Sequence, residues 1–190
     1  MCIRDSVFVS ETGGRAVIKY EKNPEKAVLY KGGKEYKLKR AVSASGAKYE
    51  GESALFWEKA GGARIETPSS SGTYKIDRRA SVFEDARLRG MIFKALGNEP
   101  GWVMEMKPYT VYLSTDYGSK TYKLKTDVKD IMRGINSFEA VSGKERFIIT
   151  ISIRDKGCTD SMKGDEFEAG VEIRAGEKVY SGCGKRLNKL

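Results

Sequence analysis

A mainly β fold is predicted by two features of the chain. Short runs alternate apolar and polar residues, most clearly Phe147 to Arg154 and Phe167 to Arg174. Clusters of Gly, Pro, Asn and Ser punctuate the runs as turns. The expected architecture is a small antiparallel β-barrel followed by a second mainly β domain with one or two short helices. The 190 residues suffice for one large domain or two small ones.

The strand string opens with Val7-Phe8-Val9. Ala16 to Tyr20 and Ala27 to Tyr30 follow, separated by the turn Glu21-Lys22-Asn23-Pro24. Lys31-Gly32-Gly33-Lys34 reads as a hairpin turn leading into Glu35 to Lys39. The small-residue loop Ser43-Ala44-Ser45-Gly46 precedes Tyr49. Ala54 to Glu58 is a strand containing Trp57, and Ala63 to Thr67 closes the set after Gly61-Gly62.

Pro68, three serines and Gly72 read as a linker over 68–80. Ser81 and Glu84 then have capping-box spacing for a short helix to about Leu88. Beyond Gly90, Trp102 to Met106, Thr110 to Leu113 and Lys120 to Lys125 alternate like strands. Val128, Ile131 and Ile135 would share one face of a short helix over 127–135. Lys178 to Tyr180 pairs with the strand before it across Ala175-Gly176. The expected organisation is therefore a leader over 1–6, a barrel over 7–67, a linker with a short helix over 68–89, and a second domain over 90–190.

Composition narrows the function. Hydrophobic residues make up 39% and charged residues 32%, an ordinary globular mix. No apolar run approaches the length of a membrane-spanning helix. The net charge of +9 raises anionic polymers as partners. The excess is scattered, however, and Lys37-Leu38-Lys39-Arg40 reads as a solvated strand end, so no nucleic-acid partner is expected. The chain has no histidine, which removes the commonest general base, the usual Ser-His and Cys-His pairs and most zinc sites. No GxSxG, P-loop or GxGxxG motif occurs. Carboxylate-only chemistry, as in glycoside hydrolysis, survives this test but has no positive signal, and the expectation is a protein that is not an enzyme, with no cofactor and no metal.

Cys158 and Cys183 each lie beside glycines suited to a turn or strand end. A bridge between them would contribute about 3 kcal/mol in the chain-entropy model and would place the protein in an oxidising compartment. Two buried free thiols are the alternative. Met1 to Ser6 (MCIRDS) is polar, lacks the apolar core of a signal peptide, and resembles translated adapter sequence. It is expected to be non-native, which leaves Cys2 without a lipidation role.

Gly33-Lys34-Glu35-Tyr36-Lys37-Leu38, Val42 to Tyr49, and Phe56-Trp57-Glu58-Lys59 together go beyond composition. Over residues 7–67 the chain resembles the membrane-bound inhibitor of c-type lysozyme family, a small antiparallel β-barrel. The family's SGxxY motif is intact as Ser45-Gly46-Ala47-Lys48-Tyr49. Its KGxxA motif stands as Lys59-Ala60-Gly61-Gly62-Ala63, with alanine in place of glycine. Ser10 stands about where the family has the first cysteine of a disulfide.

The resemblance implies a c-type lysozyme as partner, with Ser45 and Lys59 entering the lysozyme cleft. Gly46 would turn the loop tip, while Tyr49 would anchor it by packing, and Tyr49 and Trp57 are both read as core residues. It also implies the periplasm or outer membrane as location, with a membrane link only through a lipid anchor or signal sequence missing from this chain. Phe93 to Trp102, Cys158 to Met162 and Gly182-Cys183-Gly184 resemble an uncharacterised bacterial lipoprotein-type domain found beside such inhibitors. Within it, Asn98-Glu99-Pro100-Gly101 reads as a tight turn that sets Trp102 against the disulfide, with a ligand loop as the alternative. The competing reading is an envelope binding module for peptidoglycan or another anionic polymer, without inhibitory activity.

Overall fold

The computed structural model describes residues 6–21, 25–78, 80–160 and 164–187, with the side chains of 154–156 left aside. Residues 1–5, most of the expected leader, lie outside the described residues. The chain divides into two units, 1–90 and 91–190.

The first unit is a closed eight-stranded antiparallel barrel with its strands in sequence order. They are β1 (Ser6–Ser10), β2 (Arg15–Tyr20), β3 (Lys26–Lys31), β4 (Lys34–Ala41), β5 (Ala47–Glu50), β6 (Leu55–Lys59), β7 (Gly62–Thr67) and β8 (Ser70–Ile76). Alternation decides what fills it. Phe8, Ile18, Leu29, Leu38, Tyr49, Phe56 and Ile65 point inward and are buried, with the Phe8 and Phe56 rings edge to face at 5.3 Å.

The linker expected from Pro68 to Ala80 is corrected by β8. The serines and Gly72 suggested loop, but Ser70–Ile76 pairs with β7 on one side and β1 on the other, in the register Ser10↔Tyr74 and Phe8↔Ile76. Barrel closure satisfies the strand's backbone groups on both edges, and that outweighs weak β propensity.

The capping box holds. Helix α1 (Val82–Leu88) starts with the Ser81 hydroxyl accepting the Glu84 N–H at 3.1 Å. It lies against β2, where Val17 is fully buried although its neighbours Ala16 and Ile18 fill the barrel interior. Arg15 reaches Glu84 and Asp77, both at 2.9 Å. The Arg87 and Arg15 guanidiniums hold the Glu84 carboxyl below its ordinary pKa.

The second unit is also a closed eight-stranded antiparallel barrel. Its strands are β9 (Phe93–Asn98), β10 (Gly101–Lys107), β11 (Thr110–Thr115), β12 (Lys120–Lys125), β13 (Gly134–Ser142), β14 (Glu145–Thr159), β15 (Glu166–Ala175) and β16 (Lys178–Arg186). β16 pairs with β9 to close it, in the register Cys183↔Leu96. Met104, Met106, Leu113, Leu124, Ile149, Ile151 and Ile173 fill the interior.

No helix forms over 127–135. Ile131 is buried, but Ile135 is 63% exposed, so the three apolar residues share no face. The Asn136 side chain instead accepts the Met132 N–H and donates to its carbonyl, and β13 begins at Gly134. Among the described residues no helix is long and apolar enough to cross a membrane.

Cys158 and Cys183 are bridged, with Cα atoms 5.6 Å apart. Their strands are not neighbours, because β15 runs between them. β14 takes up extra residues in a bulge between Ile153 and Cys158, and the bent extension reaches over to β16. Asn98 and Gly101 close the expected tight turn, and Trp102 packs over Gly97 with its indole N–H on the Ser181 carbonyl at 3.1 Å. Replacing both cysteines by serine is expected to cost the second barrel about 3 kcal/mol in urea unfolding. A loss below about 1 kcal/mol would show that the bridge closes no entropically important loop.

Candidate functional site

Two connections at one end of the first barrel carry the motif residues. The β4–β5 loop spans Val42 to Gly46, and the β6–β7 hairpin turns at Ala60-Gly61. The register Ala47↔Glu58 and Lys59↔Gly62 makes these connections direct neighbours. Gly46 has φ +76°, and a Cβ there would sit 2.1 Å from the Glu58 carbonyl oxygen and 3.3 Å from the Lys59 Cβ. Glycine at this point allows the serine loop to lie on the backbone of the lysine strand.

The loop is fastened from both sides. The Ser43 hydroxyl donates to the Gly46 carbonyl at 3.2 Å. The Trp57 indole N–H donates to the Ser45 carbonyl at 2.9 Å. Trp57 is therefore not the core residue expected from its size. It is half-buried on the outer face, since Tyr49 and Phe56 take the inward positions. Sequence patterning would have put it outside, because it sits one residue from Phe56 on a strand of period two.

Tyr49 is in the core as expected, 2% exposed, with ring centroids 5.6 Å from Tyr20 and 6.5 Å from Phe56. Near it the Tyr20 hydroxyl donates to Glu58 at 2.9 Å. Burial, then the Glu58 carboxylate, pushes the Tyr20 phenol above its ordinary pKa.

Three side chains are left for a partner. Lys59 is exposed, and among the described residues no carboxylate pairs with it. Ser45 is half-buried, with its carbonyl rather than its hydroxyl engaged. Val42 is 97% exposed, an apolar side chain beside the two polar ones that sequence reasoning passed over. No group of His, Cys, Asp and Glu among the described residues could hold a metal ion. The arrangement displays a cation, a hydroxyl and a small apolar group on braced loops.

The hairpin holds one strained residue. Ala60 has φ +52° and Gly61 φ +79°, the pair of left-handed residues that a two-residue type I′ turn requires. Ala60→Gly is expected to raise stability by roughly 0.5–1 kcal/mol, after glycine's extra freedom in the unfolded chain is subtracted. The check is the denaturant midpoint of the first barrel, and a lower midpoint would mean that Ala60 is held by packing.

Residues 8–73 match the family model described as membrane-bound lysozyme-inhibitor of c-type lysozyme, from β1 into β8 and past the boundary expected at 67. The second barrel has no family match. No curated protein and no solved structure matches the chain.

Proposed function

We propose that the first barrel inhibits a c-type lysozyme by placing Lys59 and Ser45 in its active-site cleft, and so protects bacterial peptidoglycan. The observation that supports this most is the contact between the two motif loops, with Gly46 on the Glu58 carbonyl beside Lys59. A c-type lysozyme cleaves with two carboxyl groups flanking the scissile bond. The Lys59 ammonium would pair with them, the Ser45 hydroxyl would add a neutral hydrogen bond, and the attacked sugar would be displaced. Gly46 and Tyr49 hold the loop in place, and its bracing keeps the ordering cost of binding low. The proposed location is the periplasm or outer membrane.

Kinetics on a short soluble glycan substrate tests this reading. Competitive inhibition is expected, with KM rising and kcat unchanged. Inhibition that lowers kcat at saturating substrate would place the contact outside the cleft.

One observation favours an envelope binding module instead. β3 and β4 carry Lys26 opposite Lys39, with Lys37 on the same strand, all exposed on the outer face. Such a stripe suits an anionic polymer. Binding to isolated walls that falls steeply with salt, without any effect on soluble-substrate kinetics, would support it.

A further inference from the structure

We propose that a groove on the outside of the second barrel binds a short, non-anionic oligosaccharide. The proposal is independent of the first barrel's function. The interior of this barrel is filled with apolar side chains, so a ligand must sit outside. There, a groove of about 600 Å³ runs over β14, β15 and β16 and is walled by the bent β14 extension that the disulfide fastens to β16. That is within the size range of small-molecule sites.

The floor is made of outward positions that alternate with the core. Thr150, Ser152, Glu172 and Ser181 line it around Gly170, which presents no side chain. Asn98 and Asp160 form part of the wall, with the Asn98 amide donating to the Asp160 carboxylate at 2.8 Å. The Ser152 and Ser181 hydroxyls offer donors and acceptors, and the Thr150 hydroxyl, shared with Ser137 at 3.1 Å, keeps further hydrogen-bonding capacity. Glu172 keeps a second oxygen free of its 2.7 Å bond to Arg174. Among the described residues the lining also includes Glu99 and no lysine or arginine. On a chain of net charge +9 the carboxylates of these described residues disfavour anionic polymers and admit neutral or amine-bearing ligands.

An exposed aromatic ring lies next to Asn98, one of the residues lining the groove. Tyr117 is 77% exposed, follows Asp116, and both residues have left-handed backbones with φ of 57° and 51°. For a bulky residue that conformation is a true outlier. It is held by the Tyr117 hydroxyl on the Asn98 carbonyl at 3.3 Å, by Tyr180 on Asp116 at 3.4 Å, and by the ring seated on Gly101, where a Cβ would come within 2.6 Å. Strain maintained to hold an exposed ring beside a polar groove points to a ligand. A pyranose matches these parts, with hydroxyls for the floor and an apolar C–H face for the ring.

The test is a 15N-NMR titration of the full chain with three probes: a trimer of N-acetylglucosamine, a trimer of glucosamine, and trigalacturonate. Saturable shifts at Thr150, Ser152, Gly170 and Ser181 are expected with one or both of the first two. Their relative affinities distinguish a neutral from an amine-bearing ligand. Gly170→Phe should abolish binding with the fold intact, because a side chain there meets nothing within 4 Å and projects into the groove. Tyr117→Ala should weaken binding about tenfold and serves as the second variant if Gly170→Phe fails to fold. The proposal is overturned if neither glucosamine-type trimer gives saturable shifts, if trigalacturonate binds as tightly, or if the Gly170→Phe protein binds unchanged.

Discussion

Lys59→Ala is expected to raise the inhibition constant against a c-type lysozyme about 30-fold, a loss of about 2 kcal/mol. The lysine is exposed in the free protein and no carboxylate among the described residues holds it, so its removal should leave the melting temperature unchanged. In the complex the same ammonium would be desolvated between carboxylates, the setting in which truncation leaves the partner's charges unpaired. Ser45→Ala should cost less, about 0.5–1.5 kcal/mol, since its hydroxyl offers one neutral hydrogen bond. The control is Lys37→Ala, which removes the same charge from an exposed position on β4. Equal losses for Lys37 and Lys59 would assign the effect to a diffuse basic surface.

Gly46→Ala is expected to lose both stability and inhibition. Its methyl would meet the Glu58 carbonyl oxygen at 2.1 Å in a backbone with φ +76°, and no flexible side chain can yield there. The conformational cost alone is about 1–2 kcal/mol, and the collision adds to it. The melting temperature of the first barrel should fall by roughly 10 °C. Because the clash falls between the two loops, the inhibition constant should rise beyond the Lys59→Ala value. A folded Gly46→Ala protein that inhibits normally would show that the loops act independently.

Much of the first barrel was legible because period-two patterning marks its strands. Leu38, between Lys37 and Lys39, could be assigned to the interior from alternation alone, whereas the apolar runs holding Ile18, Leu29 and Phe56 take their inward residues from the register. β8 was not legible: Ser70 to Gly72 carry loop composition, and only closure against β1 and β7 makes them a strand. The residues 127–135 misled in the opposite way, since helical spacing was present but Asn136 satisfies the backbone without a helix. The candidate site divides similarly. Ser45 and Lys59 stand out through their motifs, whereas their adjacency depends on the register Ala47↔Glu58. The Trp57 bond to the Ser45 carbonyl and the exposure of Val42 depend on side-chain direction. Of the groove of the second barrel only Asn98 and Glu99 stood out, as part of a candidate ligand loop, because Thr150, Ser152, Glu172 and Ser181 read, strand by strand, as ordinary solvated positions.

The most direct measurement of lysozyme inhibition is the clearing of a cell-wall suspension by a c-type lysozyme, with this protein titrated at two wall densities. Active-site occupation predicts half-protection at one fixed ratio of protein to lysozyme, whatever the amount of wall. Half-protection that instead scales with wall density would contradict inhibition and identify a protein that shields the substrate.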